Sequence, residues 1–102
     1  MKRPAGRAVN EKPGPTIERV LQELGLKKRV DEWRVVAEWE DIVGKAISER
    51  AVPVSVERGQ LVVQVNSSPW LMEMKMRERD ILRSIAERVG EGVVKAIRFV
   101  GK

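Results

Sequence analysis

The chain has 102 residues, 42% of them hydrophobic and 34% charged, with a net charge of +5. That length suits one domain with a modest core, burying roughly 60–65% of its unfolded surface. It contains no Cys and no His, which excludes disulfides, Cys/His zinc sites, thiol nucleophiles and any Ser-His-Asp triad.

No apolar run approaches the roughly 20 residues that span a bilayer. The first residues show no apolar secretory core. The expectation is a cytoplasmic protein with no membrane partner. The basic balance points to a polyanionic partner.

Residues 1–15 (MKRPAGRAVNEKPGP) read as a disordered basic tail with almost nothing to bury. Lys2, Arg3, Arg7 and Lys12 against Glu11 give it +3, leaving +2 for residues 16–102. These four cations are candidate phosphate contacts. Thr16–Leu24 reads as a short helix: Thr16 can cap it, Ile17, Val20, Leu21 and Leu24 form a stripe, and Gly25 follows as a stop. Lys27–Arg50 reads as a second helical region. Val30, Trp33, Val36 or Ala37, Val43, Ala46 and Ile47 recur at helical spacing, Trp39 and Ile42 widen the stripe, and Gly44 interrupts it. Trp33 lies on the stripe and is expected in the core; the placement of Trp39 stays open. Glu38, Glu40 and Asp41 read as a solvated acidic face, because nothing near them raises a carboxyl pKa or positions a second catalytic group.

A hairpin follows. Val52, Val54 and Val56 alternate with polar residues or proline, and so do Leu61, Val63 and Val65 after Arg58-Gly59. A two-residue loop at Arg58-Gly59 predicts Val56 opposite Leu61, Val54 opposite Val63 and Val52 opposite Val65, all on one face. An Asp at position 54 would then bury a charge. Ser68 is the expected N-cap and Pro69 the first residue of a long amphipathic helix over Trp70–Val89. Its apolar stripe is Leu71, Met74, Ile81, Leu82, Ile85 and Val89. Gly90-Glu91-Gly92 ends that helix, and Val93–Val100 is expected as a last strand with Ile97 and Phe99 facing inward. The predicted class is α+β in the order α-α-β-β-α-β, with a three-stranded mixed sheet and helices on one face. The last strand is parallel to the second, and Pro53 marks the first as an edge.

The long helix carries a second pattern. Lys75, Arg79 and Arg83 lie four apart as a basic stripe, with Met72 and Met76 beside it and off the main apolar stripe. Two readings stand: the methionines widen the core contact, or they form an adaptable surface for a partner edged by basic residues. Trp70, in the first turn, either stacks on a base beside the helix N-terminus or closes the core under the hairpin. No GxxxxGK(S/T) phosphate loop, GxGxxG or GxSxG elbow is present. Ser67 and Ser68 read as capping residues rather than nucleophiles, so no enzymatic activity, cofactor, metal site or small-molecule substrate is expected.

Trp39 with Ile42-Val43-Gly44 and Ala46-Ile47, Val52-Pro53, Gly59-Gln60-Leu61-Val62-Val63-Gln64-Val65, Ser68-Pro69-Trp70, Leu82 and Ile97-Arg98-Phe99 together resemble the DciA family of small bacterial domains. The likeness runs over about residues 16–100. It implies a KH-like domain over 16–102, and a helicase operator or loader that acts with the replicative DNA helicase and single-stranded DNA. The GxxG loop with which many KH domains clamp nucleic acid is absent. Under this reading Lys2, Arg3, Arg7, Lys12, Lys75, Arg79 and Arg83 are candidate nucleic-acid contacts, and Trp70, Met72 and Met76 candidate partner contacts. The alternatives are a KH-like RNA-binding module without a helicase partner, and a protein-interaction domain without nucleic-acid affinity.

Overall fold

The computed structural model describes residues 16–102. The expected tail over 1–15, with Lys2, Arg3, Arg7 and Lys12, lies outside the described residues. The described residues form six helices and three strands, in chain order α1 Ile17–Glu23, α2 Lys27–Ala37, α3 Trp39–Val43, α4 Lys45–Ser48, β1 Ala51–Glu57, β2 Gln60–Val65, α5 Ser68–Met76, α6 Glu78–Arg88 and β3 Ala96–Gly101. The class is α+β, as expected. The sheet order is β1-β2-β3, with β1 antiparallel and β3 parallel to β2.

Local chemistry sets the boundaries. The Thr16 hydroxyl accepts the Arg19 amide at 3.0 Å and opens α1. At the hairpin tip Arg58 and Gly59 both have positive φ, 53° and 83°, the primed-turn geometry whose twist matches paired strands. The Gly59 carbonyl also accepts the amides of Lys95 and Ala96 at 2.6 and 3.2 Å, which seats the start of β3 on the turn.

The hairpin register departs from strict alternation. Glu57 faces Gln60 and Val56 faces Leu61, as expected, but the pairing shifts between Pro53 and Ser55. Val63 then lies opposite Pro53, and Val65 opposite Ala51. Val54 is the extra residue of a bulge. The bulge adjoins Pro53, which has no amide to donate to a ladder. In consequence Val52 and Val54 are 55% and 59% exposed, and the buried residue at this end of β1 is Ala51.

On β2 the alternation holds. Leu61, Val63 and Val65 are fully buried, while Gln60 and Gln64 face solvent. From β3, Ile97 and Phe99 join the core as expected, and Arg98 points outward. Val93 and Val94 are buried too, but in the connection before β3, which begins at Ala96 rather than Val93. Met74, Ile81 and Ile85 cover the inner face from the helices, with Val35, Trp39 and Ile42 beside them. Fully burying residues such as Leu61, Met74 and Ile85 contributes about 1.5–3 kcal/mol each. The Trp39 indole Nε1 donates to the Ala51 carbonyl at 2.8 Å inside this core, pinning α3 to β1.

The second helical region is three helices. Gly44 ends α3 and starts α4 with φ 92° and ψ 160°. Trp33, expected inside, is 67% exposed, and Val30 and Val36 are exposed with it; Val35 takes the core position. The polar residues at the end of α2 meet α6. Arg34 donates to Glu38 from Nε at 2.9 Å, and Arg88 of α6 donates to the same carboxylate at 2.9 Å. Arg34 also donates to the Arg88 carbonyl at 3.3 Å. This network ties the end of α2 to α6, and with Val35 in the core Trp33, two residues away, falls on nearly the opposite side of the helix.

Candidate partner and nucleic-acid interface

The α5–α6 unit grows directly from β2. Ser67, not Ser68, is the N-cap: its Oγ accepts the Trp70 amide at 3.4 Å, and Pro69 occupies the first turn. The expected single helix breaks at Arg77, the C-cap of α5 and the residue before α6. No proline or glycine marks that break. Two interactions surround it: Arg77 Nε donates to Glu73 at 2.8 Å, and the Glu78 carboxylate accepts the Ile97 amide of β3 at 3.1 Å. Glu78 thus anchors the N-terminus of α6 to β3.

Met74 is fully buried and Leu71 half-buried, so the opposite side of α5 faces solvent. Met72 and Met76 stand there, 64% and 79% exposed. Of the two readings of these methionines, widening of the core does not hold. Met76 lines a shallow groove with Lys75, Arg79, Glu78, Asp80 and Leu82 across the α5–α6 break. Lys75 and Arg79 are exposed and, among the described residues, in no ion pair; Arg83 is held by Asp80 at 3.3 Å. The break therefore gathers Met76, Lys75 and Arg79 at one groove, with Met72 one turn earlier on α5.

Trp70 sits differently. It is half-buried against the core, and the Arg50 guanidinium lies 5.0 Å from its ring centroid. A cation over an indole face is a favourable contact, and it takes up one face of the ring. Arg50 was not legible as part of this site, because it precedes β1 and meets Trp70 only through the fold.

Of the acidic run at the start of α3, Glu38 and Asp41 enter ion pairs, while Glu40 is exposed and in no ion pair among the described residues. Glu38 bridges Arg34 and Arg88, and Asp41 accepts from Arg88 at 3.3 Å. The hydrogen bond from Arg34, then that from Arg88, holds the Glu38 carboxyl below the usual carboxylate range. Among the described residues no group of three or more acidic side chains is placed to hold a metal ion, and no helix is long and apolar enough to cross a membrane.

The family model described as "Dna[CI] antecedent, DciA" matches residues 12–99. The chain belongs to the DciA family. A UPF0232 protein of Rhodococcus jostii is 34% identical over 82 residues, covering 80% of this chain and 44% of that protein. One of Mycolicibacterium smegmatis is 32% identical over 88 residues, covering 86% of this chain and 45% of its own. One of Mycobacterium leprae is 31% identical over 99 residues, covering 87% and 52%. The DciA chain thus spans about half the length of the curated relatives it matches.

Proposed function

We propose that this DciA chain is a non-enzymatic accessory of bacterial DNA replication that binds the replicative DNA helicase and single-stranded DNA and helps place one on the other. Family membership supports the replication context. The observation that carries the partner role is the exposure of Met72 and Met76 on α5, whose other side is core, with Lys75 of α5 and Arg79 of α6 at the same groove as Met76. Two adaptable side chains with no part in the fold, edged by an Arg, suit a protein contact. In this reading Met72 and Met76 touch the helicase, with Trp70 at the margin of the contact. Lys75, Arg79 and Arg83, with Lys2, Arg3, Arg7 and Lys12, contact DNA phosphates.

The test is a loading assay with purified helicase on a single-stranded DNA circle, with and without the chain. More helicase on DNA in its presence supports the proposal; equal loading, with no helicase retained on the immobilised chain, overturns it. The DNA part has its own measure. If the four cations of residues 1–15 each meet a phosphate, removing the segment lowers the salt slope of single-stranded DNA affinity by about 3. An unchanged slope takes the segment out of the DNA contact.

A further inference from the structure

Helix α2 carries its most regular apolar stripe on the side away from the core. Leu26, Val30, Trp33 and Ala37 follow steps of four, three and four, and all four are exposed. The inward side holds Val35, with half-buried Asp31 one turn before it. Rolling α2 to bury the stripe would break the bonds from Arg34 to the Arg88 carbonyl and from Arg88 to Glu38. The stripe is therefore held outward by the fold itself.

Apolar residues alternating at three and four steps form the seam along which one helix packs against another, and the charges flanking the seam choose the partner. The flanking positions here are Lys27, Arg29, Arg34 and Val36, three cations and no carboxylate. Lys27 engages Asp31 and Glu18, and Arg34 engages Glu38; Arg29 makes no ion pair among the described residues and is the flanking charge left for a partner. We propose that the outward face of α2 is a docking seam for an amphipathic helix of another protein, with apolar residues at the same spacing and Glu or Asp on its flanks. A second copy of the chain would set the unpaired Arg29 against its own kind and bring no free carboxylate to it from the flanking positions. A nucleic acid would meet Glu32 beside Trp33, and aliphatic neighbours that offer no stacking surface.

Two fluorescently labelled peptides of about three heptads test this, both with Leu on the seam, one with Glu and one with Lys on the flanks. Anisotropy titrations with the full chain are expected to favour the Glu peptide by at least about tenfold, and Trp33→Ser to weaken its binding by at least about tenfold, the scale of an aromatic anchor. Arg29→Glu, which leaves the stripe intact, is expected to narrow the preference between the peptides, and so reports even if Trp33→Ser melts early. Equal affinity for the two peptides, or a preference unmoved by Arg29→Glu, overturns the proposal. So does a dimer in sedimentation that Trp33→Ser dissolves, which assigns the seam to a second copy. A loss of oligothymidylate affinity in Trp33→Ser with neither peptide bound also overturns it, and assigns the face to nucleic acid.

Discussion

At position 54 one extra residue decides what a mutation does. A regular hairpin buries Val54 against Val63; the bulge beside Pro53 puts it in solvent, while Val63 stays fully buried. Val54→Asp is expected to cost less than about 1 kcal/mol, and Val63→Asp more than about 3 kcal/mol, because only the second buries an unpaired charge. Urea melts of the two variants check this, and equal losses would put the bulge in the wrong place. The same alternation that located both strands carried no mark of the bulge except the proline. Trp33 was misplaced for a related reason: a periodic stripe tells which residues share a helix face, not which face the core takes. In α2 the core takes the face of Val35, and the Arg34, Glu38 and Arg88 partnership that joins this end of α2 to α6 forms only in the folded chain. Glu38 makes it testable by pH. Its carboxyl is held below the usual range, so its contribution is complete above a pH of about 4.3 and is lost as pH falls through the lowered value. Glu38→Gln is expected to be less stable than the parent at pH ~7, with the gap closing on acidification below about pH 4. A gap that stays constant in melts at both values would remove the carboxylate's charge from the account.

At the scale of elements, the chain breaks its helices in two different ways. Gly44 separates α3 from α4 at φ 92° and ψ 160°, a region open almost solely to glycine. A Cβ there would meet nothing within 4 Å, so backbone strain alone sets the cost. Gly44→Ala is expected to destabilise by about 1–3 kcal/mol, read as a lower midpoint in thermal unfolding; an unchanged midpoint would mean that the α3–α4 junction relaxes freely. This break was visible in the sequence as a glycine inside a helical pattern. The break at Arg77 was not. It has no glycine or proline, and its neighbours Glu73 and Glu78 bond to Arg77 and to the Ile97 amide only in the folded chain. Strand existence was legible from short-period alternation and turn chemistry, the sheet order and the parallel third strand from the edge Pro53 and the strand–helix–strand connection, and the inward facing of Ile97 and Phe99 from the bulk of Phe99.

Among the described residues, one side of the sheet is covered by helices, and the helical layer shows unlike faces to solvent on α5–α6 and on α2. The α5–α6 face gathers methionine with Lys75 and Arg79; the α2 face shows Trp33 on an aliphatic stripe. The first was legible in the sequence as residues lying off the core stripe, and the second was read as core. If Met72 and Met76 are the helicase contact, the double change Met72→Ser, Met76→Ser should leave the melting curve nearly unmoved, since both side chains are exposed, and should weaken helicase binding by at least about 1 kcal/mol, or some fivefold. Titrating the purified helicase with the parent chain and with this variant, alongside melts of both, is the most direct test. Weaker binding with an unchanged melt is the predicted result, and unchanged binding by a variant that folds normally would contradict it.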